Sequence, residues 1–279
     1  MTTINIDRSR GVGRLVYAAR ASKAFASDPH EAIERALEKI AERRDEQGAP
    51  YGYVASPESQ RQLHHLLGAQ WPCQQIAGFD EFWARMLHDL AAQSLRVGRG
   101  AFGGWDDGDL QLVRLAWCLV AHLRPRKIVE TGVARGLTSR ALLEGLGRAC
   151  NGHLWSIDLP PLLEHDLALE TAAAVPEALF ARWTLLRGSS RTVLPALTGE
   201  VGRIDLFVHD SMHTTRNVLF ELDTVWPALA PGGVALIDDV EKNAGVAKFL
   251  KKHPEARSVI CAASDGEVQI GCLIKPRHA

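Results

Sequence analysis

The stretch VETGVARGLTS, residues 129–139, joins the end of an apolar run to the start of a helical pattern. Its glycines allow the backbone to approach a ligand closely, and the helix that follows offers unpaired N–H groups in its first turn. In open α/β sheets, ligands bind at the carboxyl ends of the strands, which is where this stretch falls. It contains Glu130, then Gly132 and Gly136, and the hydroxyls of Thr138 and Ser139 where the helix opens. The G-x-x-x-G spacing differs from the G-x-G-x-x-G of a dinucleotide site.

Short apolar runs alternate with amphipathic segments on both sides of this stretch, from Leu110 onward. The runs are KIVET, HLWSID, WTLLRG, IDLFVHD and GVALIDD. Strands separated by helices of roughly ten to fifteen residues predict a parallel sheet with helices on both faces. The last two runs, RSVICAA and VQIGCLIKP, are separated only by SDGE, which predicts a hairpin at the far edge of the sheet.

The first hundred residues have a helical pattern instead. One helix is predicted to begin at Asp28 and Pro29, which supply a cap and a first-turn proline. Two more are predicted over SPESQRQLHHLLG, whose His64 and His65 are expected on the surface, and over FDEFWARMLHDLAAQSL. The glycine-rich RVGRGAFGGWDDGD predicts a linker. We therefore predict a helical region over residues 1–105, which caps the substrate site or builds a homo-oligomer interface, and an α/β domain over residues 106–279.

Composition limits the class of partner. The chain has 32 basic and 33 acidic residues among 279, so its net charge of -1 supplies no field that attracts nucleic acid or an anionic membrane. Its five cysteines form no C-x-x-C pair, which favours reduced core residues in a cytoplasmic protein. The amino terminus lacks a signal-peptide pattern, and the longest apolar helix candidate, LVRLAWCLVAHL, is short and contains Arg114. We expect a small-molecule substrate, with no nucleic acid and no membrane.

The next two strand ends carry residues that suit a nucleoside. The second run ends at Asp158, 26 residues after Gly132, where a carboxylate can accept both hydroxyls of a ribose. The third ends in RGSS, with Gly188 followed by Ser189 and Ser190, whose hydroxyls could reach an adenine edge. Each feature alone has an ordinary explanation, a tight turn or a solvated cap. In this order, at three successive strand ends, they reinforce one another.

These motifs resemble, in succession, those of class I S-adenosylmethionine-dependent methyltransferases. The matching segments are VETGVARGLTS, WSIDLP, LLRGSS and WPALAPGGVALIDDV, and the PGG before the fifth strand is particularly typical of that family. The resemblance covers roughly residues 110 to 275. It implies a Rossmann-like fold with a seven-stranded, mostly parallel sheet whose last strand is antiparallel, which agrees with the terminal hairpin.

The resemblance also implies roles for the strand-end residues. By motif position, Glu130, Gly132 and Gly136 line the methionine part of S-adenosylmethionine. Asp158 then binds the ribose and Ser189 the adenine. The predicted cofactor site is completed by the neighbouring Thr138, Ser139, Gly188 and Ser190.

Three carboxylates follow the fourth and fifth runs. IDLFVHD ends in Asp210, and GVALIDD ends in Asp238 and Asp239. Neighbouring parallel strands end close together, so these carboxylates are expected to converge beside the cofactor. Mg²⁺ would relieve their repulsion, since it binds a few carboxylates and completes its octahedron with water and substrate oxygens. Alternatively, Asp210 is the cofactor-contacting acid of metal-free methyltransferases.

The stretch FVHDSMHTTRN also carries two histidines. His213, three residues beyond Asp210, is a candidate general base, because an unperturbed imidazole pKa of about 6.5 lies near working pH. Its other interpretation is a helix cap or a water-binding loop residue. His209, within the apolar run, is expected to be a hydrogen-bonded core histidine, and Thr214 or Thr215 to cap the next helix.

Within the family, Asp210, Asp238 and Asp239 resemble the metal-ligand positions of the catechol and caffeoyl-coenzyme A O-methyltransferases. Those enzymes carry lysine where this chain has His213, and asparagine is usual where it has Asp239. The D-x-x-H form is more similar to the metal-dependent O-methyltransferases of macrolide sugars, so a catechol substrate is not implied. The resemblance therefore predicts Mg²⁺-assisted O-methylation of a small-molecule hydroxyl, with Asp210 and His213 as catalytic residues.

Two rivals from other classes remain open. One is a protein that binds S-adenosylmethionine or S-adenosylhomocysteine without catalysis, through the same glycines and Asp158. The cluster of acids argues against it, because simple binding does not require three converging carboxylates. The other is a nicotinamide-dependent oxidoreductase, which the glycine spacing disfavours.

Overall fold

The computed structural model describes residues 29–48, 51–103, 105–159, 165–262 and 268–277. Asp28 of the predicted helix cap, the amino-terminal segment and the SDGE turn lie outside the described residues. Over the described ranges, no helix has the length and apolar character that crossing a membrane requires.

The helices predicted before the sheet are present. They are α1 (Pro29–Glu46), α2 (Ser59–Leu67) and α3 (Ile76–Ala92). The predicted linker, however, is wrong, because this segment forms an antiparallel hairpin of β1 (Gly98–Phe102) and β2 (Trp105–Asp107). Gly98, Gly100 and Gly103 have φ values of 115°, 62° and 59°, so they serve the turn and the bends of the hairpin. Glycine composition alone does not distinguish that use from a flexible connection.

The remaining elements alternate as the sequence predicts. In order they are α4 (Leu110–Leu123), β3 (Lys127–Thr131), α5 (Leu137–Ala149), β4 (His153–Asp158), α6 (His165–Glu170), β5 (Trp183–Arg187), α7 (Ser190–Val201), β6 (Ile204–His209), α8 (Thr215–Val225), β7 (Leu229–Ile237), α9 (Gly245–Lys252), β8 (Arg257–Ala262) and β9 (Gln269–Ile274). Short 3₁₀ turns precede β5 and follow β7.

A seven-stranded sheet holds these elements together in the order β5-β4-β3-β6-β7-β9-β8. Strands β3 to β7 are parallel, and β9 is antiparallel to both of its neighbours. The prediction of a Rossmann-like, mostly parallel sheet with an antiparallel last strand is confirmed. Its central strands are apolar without alternation, and Leu206, Phe207 and Val208 have no exposed surface, because helices cover both faces.

The third helix of the amino-terminal region shares a core with the sheet domain. The buried face of α3, formed by Phe79, Phe82, Met86 and Leu90, packs with residues of α4 and α5. Strand β2 also runs across the predicted division after residue 105. The domain boundary stays a prediction, and α3 lies against the body that carries the sheet.

Candidate active site

The sheet reverses its strand order at β3, which pairs with β4 on one side and with β6 on the other. Such a switch point leaves a crevice at the carboxyl ends of the two central strands. Gly132 lies there with φ of 85°, and its N–H donates to the carbonyl of Ile157 at 2.9 Å. A Cβ added at Gly132 would lie 1.8 Å from the carbonyl oxygen of Asp210. The glycine loop and the loop that carries Asp210 therefore touch through their backbones.

We expect Gly132→Ala to lower the free energy of unfolding by at least about 2 kcal/mol. The left-handed backbone costs roughly 1–2 kcal/mol for a residue with a Cβ, and displacing the Asp210 loop adds to that. Urea unfolding followed by circular dichroism measures the loss. The matched control is Gly199→Ala in α7, where an added Cβ meets nothing and helix propensity predicts a small gain. Equal stability of both variants would contradict the close approach.

Asp158 is tied to the same glycine loop. Its Oδ1 accepts the N–H of Val133 at 3.1 Å, and the side chain is largely buried. Burial raises the pKa of Asp158, although the N–H groups of Val133 and Ala134 act in the opposite direction. Gly136, with φ of 83°, precedes α5, whose first turn has no side-chain cap. The predicted ribose acid and an uncapped helix start thus lie on either side of the loop.

Glu130 is fully buried beneath the loop. Its Oε2 accepts the hydroxyls of Ser139 and Ser156, both at 2.6 Å, while Oε1 has no partner among the described residues. Burial raises the pKa of Glu130 to about 7, against the two serine hydrogen bonds. Thr138 is buried as well. The hydroxyl of Ser139 therefore orients Glu130, and the cofactor roles of all three residues stay predictions.

The end of β5 is hydrogen-bonded to the end of β4. The N–H of Gly188 donates to the carbonyl of Asp158 at 2.9 Å. Ser189 caps α7 by accepting the N–H of Thr192 at 3.3 Å, and Ser190 donates to Asn217 at 3.4 Å. Both serine hydroxyls have partners within the protein, so contact with an adenine stays a prediction.

The acids after β6 and β7 converge with His213. Donor atoms of Asp210, His213 and Asp238 lie within 4.8 Å of one another. The Nε2 of His213 is 3.9 Å from Asp210 and 3.4 Å from Asp239. The carboxylate of Asp239 is ion-paired with Lys242, and the residue has a left-handed backbone with φ of 51°. The three groups that meet are thus two carboxylates and an imidazole, with Asp239 beside them.

The electrostatics of this cluster favour a cation. Burial first, and neighbouring carboxylates second, raise the pKa of both Asp210 and Asp238 well above the ordinary range. The Oδ1 of Asp238 is buried without a partner over the described ranges. Burial also lowers the pKa of His213 to about 4, against the charge of Asp239, so its imidazole is neutral near pH 7. Two carboxylates and a neutral imidazole are all suited to a metal ion.

Glu221 of α8 is a residue that the sequence analysis missed. It is fully buried, and it accepts hydrogen bonds from Nδ1 of His209 at 2.7 Å and from Ser211 at 2.8 Å. Thr131 and Asn217 donate to it as well. The expectation that His209 is a hydrogen-bonded core residue is confirmed for its Nδ1. In the sequence, the signal that could have identified Glu221 is the position of this acid on the apolar face of the helix RNVLFELDTVW.

The first helix of the described chain holds the segment after His213. Asp45 of α1 accepts both the N–H and the hydroxyl of Thr215 at 2.7 Å. Glu38 accepts the hydroxyl of Thr214 at 2.6 Å, and Thr214 caps α8 as predicted, by accepting the N–H of Asn217. These acids lie far from the site in sequence, and no local pattern marks them. The amino-terminal region thus contacts the loop that carries the candidate base.

The chain is similar to known proteins in the sequence of one domain and in its fold. Residues 129–240 match the family model described as a methyltransferase domain. No curated protein sequence matches the chain. A candidate O-methyltransferase from Klebsiella pneumoniae superposes with a TM-score of 0.52 and 19% identity, over 77% of this chain and 95% of that one. The O-methyltransferase from Bacillus cereus in complex with SAH superposes with a TM-score of 0.50 and 17% identity, over 69% and 90%.

At these identities the structural likeness establishes the fold, and the family match establishes the domain. The matched range begins at the glycine stretch and ends just beyond Asp238 and Asp239. The resemblance inferred from the order of the motifs is confirmed. Residues 129–240 are therefore a methyltransferase domain, and the chain carries it on the class I fold.

Proposed function

We propose that this chain is an S-adenosylmethionine-dependent O-methyltransferase that acts on a hydroxyl of a small molecule with the help of Mg²⁺. The observation that carries the proposal is the convergence of Asp210, His213 and Asp238 at the end of the strand beside the glycine loop. The two structural neighbours, both described as O-methyltransferases, support the choice of an oxygen acceptor.

S-adenosylmethionine, when bound, supplies a methyl group on a positively charged sulfur. The loop from Gly132 to Gly136, which turns through left-handed backbone at both glycines, lies at the strand ends where the cofactor would bind. Asp158 holds the ribose through the oxygen that Val133 leaves free. Glu130 lies below the loop, where its unpaired Oε1 can accept a donor from the methionine part. Ser189 and Ser190 lie at the adenine end.

The acid cluster fits a hard divalent cation. Asp210 and Asp238 would hold it, because burial and mutual repulsion make both carboxylates unfavourable as free anions. A bound Mg²⁺ supplies Lewis acidity, which orients a substrate hydroxyl and lowers its pKa. Asp239 is not a proposed ligand of the cation, because its carboxylate is paired with Lys242 and lies beside Nε2 of His213.

His213 is the proposed base for the substrate hydroxyl. Its Nε2 faces the carboxylates, and the imidazole is neutral near pH 7, so that nitrogen can accept a proton. Asp239, 3.4 Å away, stabilises the imidazolium that results. The loop that carries His213 is held by Thr214 and Thr215, which bind Glu38 and Asp45 of α1.

We expect His213→Ala to lower kcat about a hundredfold, because general base catalysis typically contributes 10²–10⁴. KM for S-adenosylmethionine and the affinity for Mg²⁺ should stay within about twofold. The control is His88→Ala on the exposed side of α3. A variant that loses Mg²⁺ affinity in parallel with kcat would show that His213 is a metal ligand and would overturn its role as base.

The function is tested with the purified chain, methyl-labelled S-adenosylmethionine and a panel of hydroxylated small molecules. Label transferred to oxygen, with S-adenosylhomocysteine released, is the expected result. Calorimetry with S-adenosylmethionine, S-adenosylhomocysteine and NAD runs beside it. Tight binding without transfer to any acceptor would favour a non-catalytic binding protein. Binding of NAD without affinity for S-adenosylmethionine would favour an oxidoreductase.

A further inference from the structure

A second cluster of metal-binding side chains lies where α2 and α3 meet α4. His64 belongs to α2, Cys73 lies in the loop that leads to α3, and Cys118 and His122 lie on α4. The two residues of α4 are four positions apart, so they share one face of the helix. The expectation that His64 lies on the surface is wrong, because only 2% of it is exposed. The packing of α2 against α4 brings all four together.

The donor atoms are spaced as ligands of one ion. Those of His64, Cys73 and Cys118 lie within 4.8 Å of one another. The two sulfurs are 3.3 Å apart, and Nε2 of His122 is 3.4 Å from the sulfur of Cys73. Zinc bound at about 2.3 Å to sulfur and 2.0–2.1 Å to nitrogen places tetrahedral ligands roughly 3.4–3.8 Å apart. The distances from the sulfur of Cys73 to Cys118 and to His122 are already close to these values, and a nitrogen of His64 lies within 4.8 Å of both sulfurs.

His64 is held in the orientation that a metal ligand needs. Its Nδ1 is 2.7 Å from the carbonyl of Gln60, so that nitrogen carries the proton. This leaves Nε2 as an acceptor, and it is buried with no hydrogen-bond partner among the described residues. A carbonyl on the far nitrogen is the usual outer partner of a zinc-bound histidine. An unpaired buried nitrogen facing two thiols is costly unless something binds it.

We propose that His64, Cys73, Cys118 and His122 form a tetrahedral site for Zn²⁺. Two thiolates and two imidazoles are a common donor set of structural zinc, and they leave no open position for a substrate. The ion would join the loop before α3 to α4, and so fasten the amino-terminal helices to the domain that carries the sheet. The site is separate from the acid cluster and does not depend on the proposed methyl transfer.

The test is the metal content of the full chain, purified without chelator, denatured and measured by mass spectrometry of its metals. We expect about one zinc per chain, falling at least fivefold in Cys118→Ser. Cys150→Ser is the matched control, because Cys150 lies outside the cluster and its thiol donates to the backbone carbonyl of Pro125 at 3.0 Å. Asp238→Ala should keep its zinc, which separates this site from the acids.

Cobalt provides a second measurement that does not require a variant to fold. Wild type reconstituted with Co²⁺ should show thiolate-to-metal charge transfer and the d–d bands of a tetrahedral ion. Three results would overturn the proposal. The first is a wild-type protein that contains no zinc and shows no cobalt bands after reconstitution under reducing conditions. The second is a zinc content that Asp238→Ala abolishes and Cys118→Ser leaves unchanged. The third is a Cys73–Cys118 disulfide that persists in reducing buffer, detected by mass.

Discussion

Asp210→Ala is expected to lower kcat at least about a thousandfold and to abolish the response to added Mg²⁺. The variant removes one of the two carboxylates proposed to hold the cation, and it leaves Asp238 alone with His213. Loss of Lewis acid assistance costs several kcal/mol of transition-state stabilisation, and about 4 kcal/mol corresponds to a thousandfold in rate. Initial rates at saturating S-adenosylmethionine, with Mg²⁺ varied, measure both effects.

Chelation of the wild-type enzyme should have the same consequence. Because a strong chelator also removes zinc from the proposed site on α4, the informative step is restoration. Mg²⁺ added alone should restore turnover of the wild type and should not restore Asp210→Ala. Asp223→Ala, which removes an exposed acid of α8 paired with Lys252, is the control and should keep its kcat. Full turnover in excess chelator would exclude the role assigned to the metal.

Asp210 also has a metal-free interpretation, in which the strand-end acid contacts the cofactor. That interpretation predicts a different pattern for the same variant. KM and Kd for S-adenosylmethionine would rise strongly, and turnover of the wild type would not depend on Mg²⁺. Our proposal instead predicts that the variant binds S-adenosylmethionine nearly as well as the wild type, because Asp158 and the glycine loop are unchanged. Calorimetry on the variant therefore distinguishes the two.

The fold and the candidate site were predictable to different degrees. Each central strand can be recognised in the sequence as an apolar run that ends in a polar residue. Because the strands are parallel, the sheet then places Gly132, Asp158 and Asp210 together at the carboxyl ends of its strands. The arrangement of the side chains within the acid cluster was harder to predict from the sequence. Consecutive side chains along a strand point in opposite directions, so Asp238 and Asp239 cannot both face the same point without a change of backbone. The structure has the left-handed Asp239 turned to Lys242, and His213 completes the group.

The residues that sequence analysis missed are those whose role depends on a distant partner. His64 and His65 are adjacent in one helix, and only the packing of α4 determines which of the two is buried. Asp45 and Glu38 are ordinary acids of an amphipathic helix until Thr214 and Thr215 lie against them. The prediction of a linker from its glycine content was wrong for the same reason, because the pairing of β1 with β2 depends on the folded chain.

Glu221→Ala is expected to lower the free energy of unfolding by about 3–5 kcal/mol. Removing one partner of a buried charged pair costs about that much, because the other partner is left unsatisfied. In this variant the hydrogen-bond donors that lose their acceptor include His209, Thr131 and Ser211, which lie at the ends of β3 and β6. Urea unfolding measures the change. Glu200→Ala, an exposed acid at the end of α7, is the control and should shift stability by less than about 0.5 kcal/mol.

The pH dependence of stability distinguishes a charged Glu221 from a neutral one. Burial alone would raise its pKa, but the charge of His209 and the hydrogen bonds outweigh burial and lower the pKa of Glu221 to about 2 from 4.5. Because the pKa is lower in the folded state, its contribution is complete above about pH 4.5 and is lost as pH falls towards 2. Each pH unit of that interval is worth about 1.4 kcal/mol. Wild type should therefore lose stability over this range more steeply than Glu221→Gln. Parallel profiles would mean that folding does not lower the pKa of Glu221, and a wild type that gains stability relative to Glu221→Gln as pH falls towards about 4.5 would mean that Glu221 is protonated in the native protein.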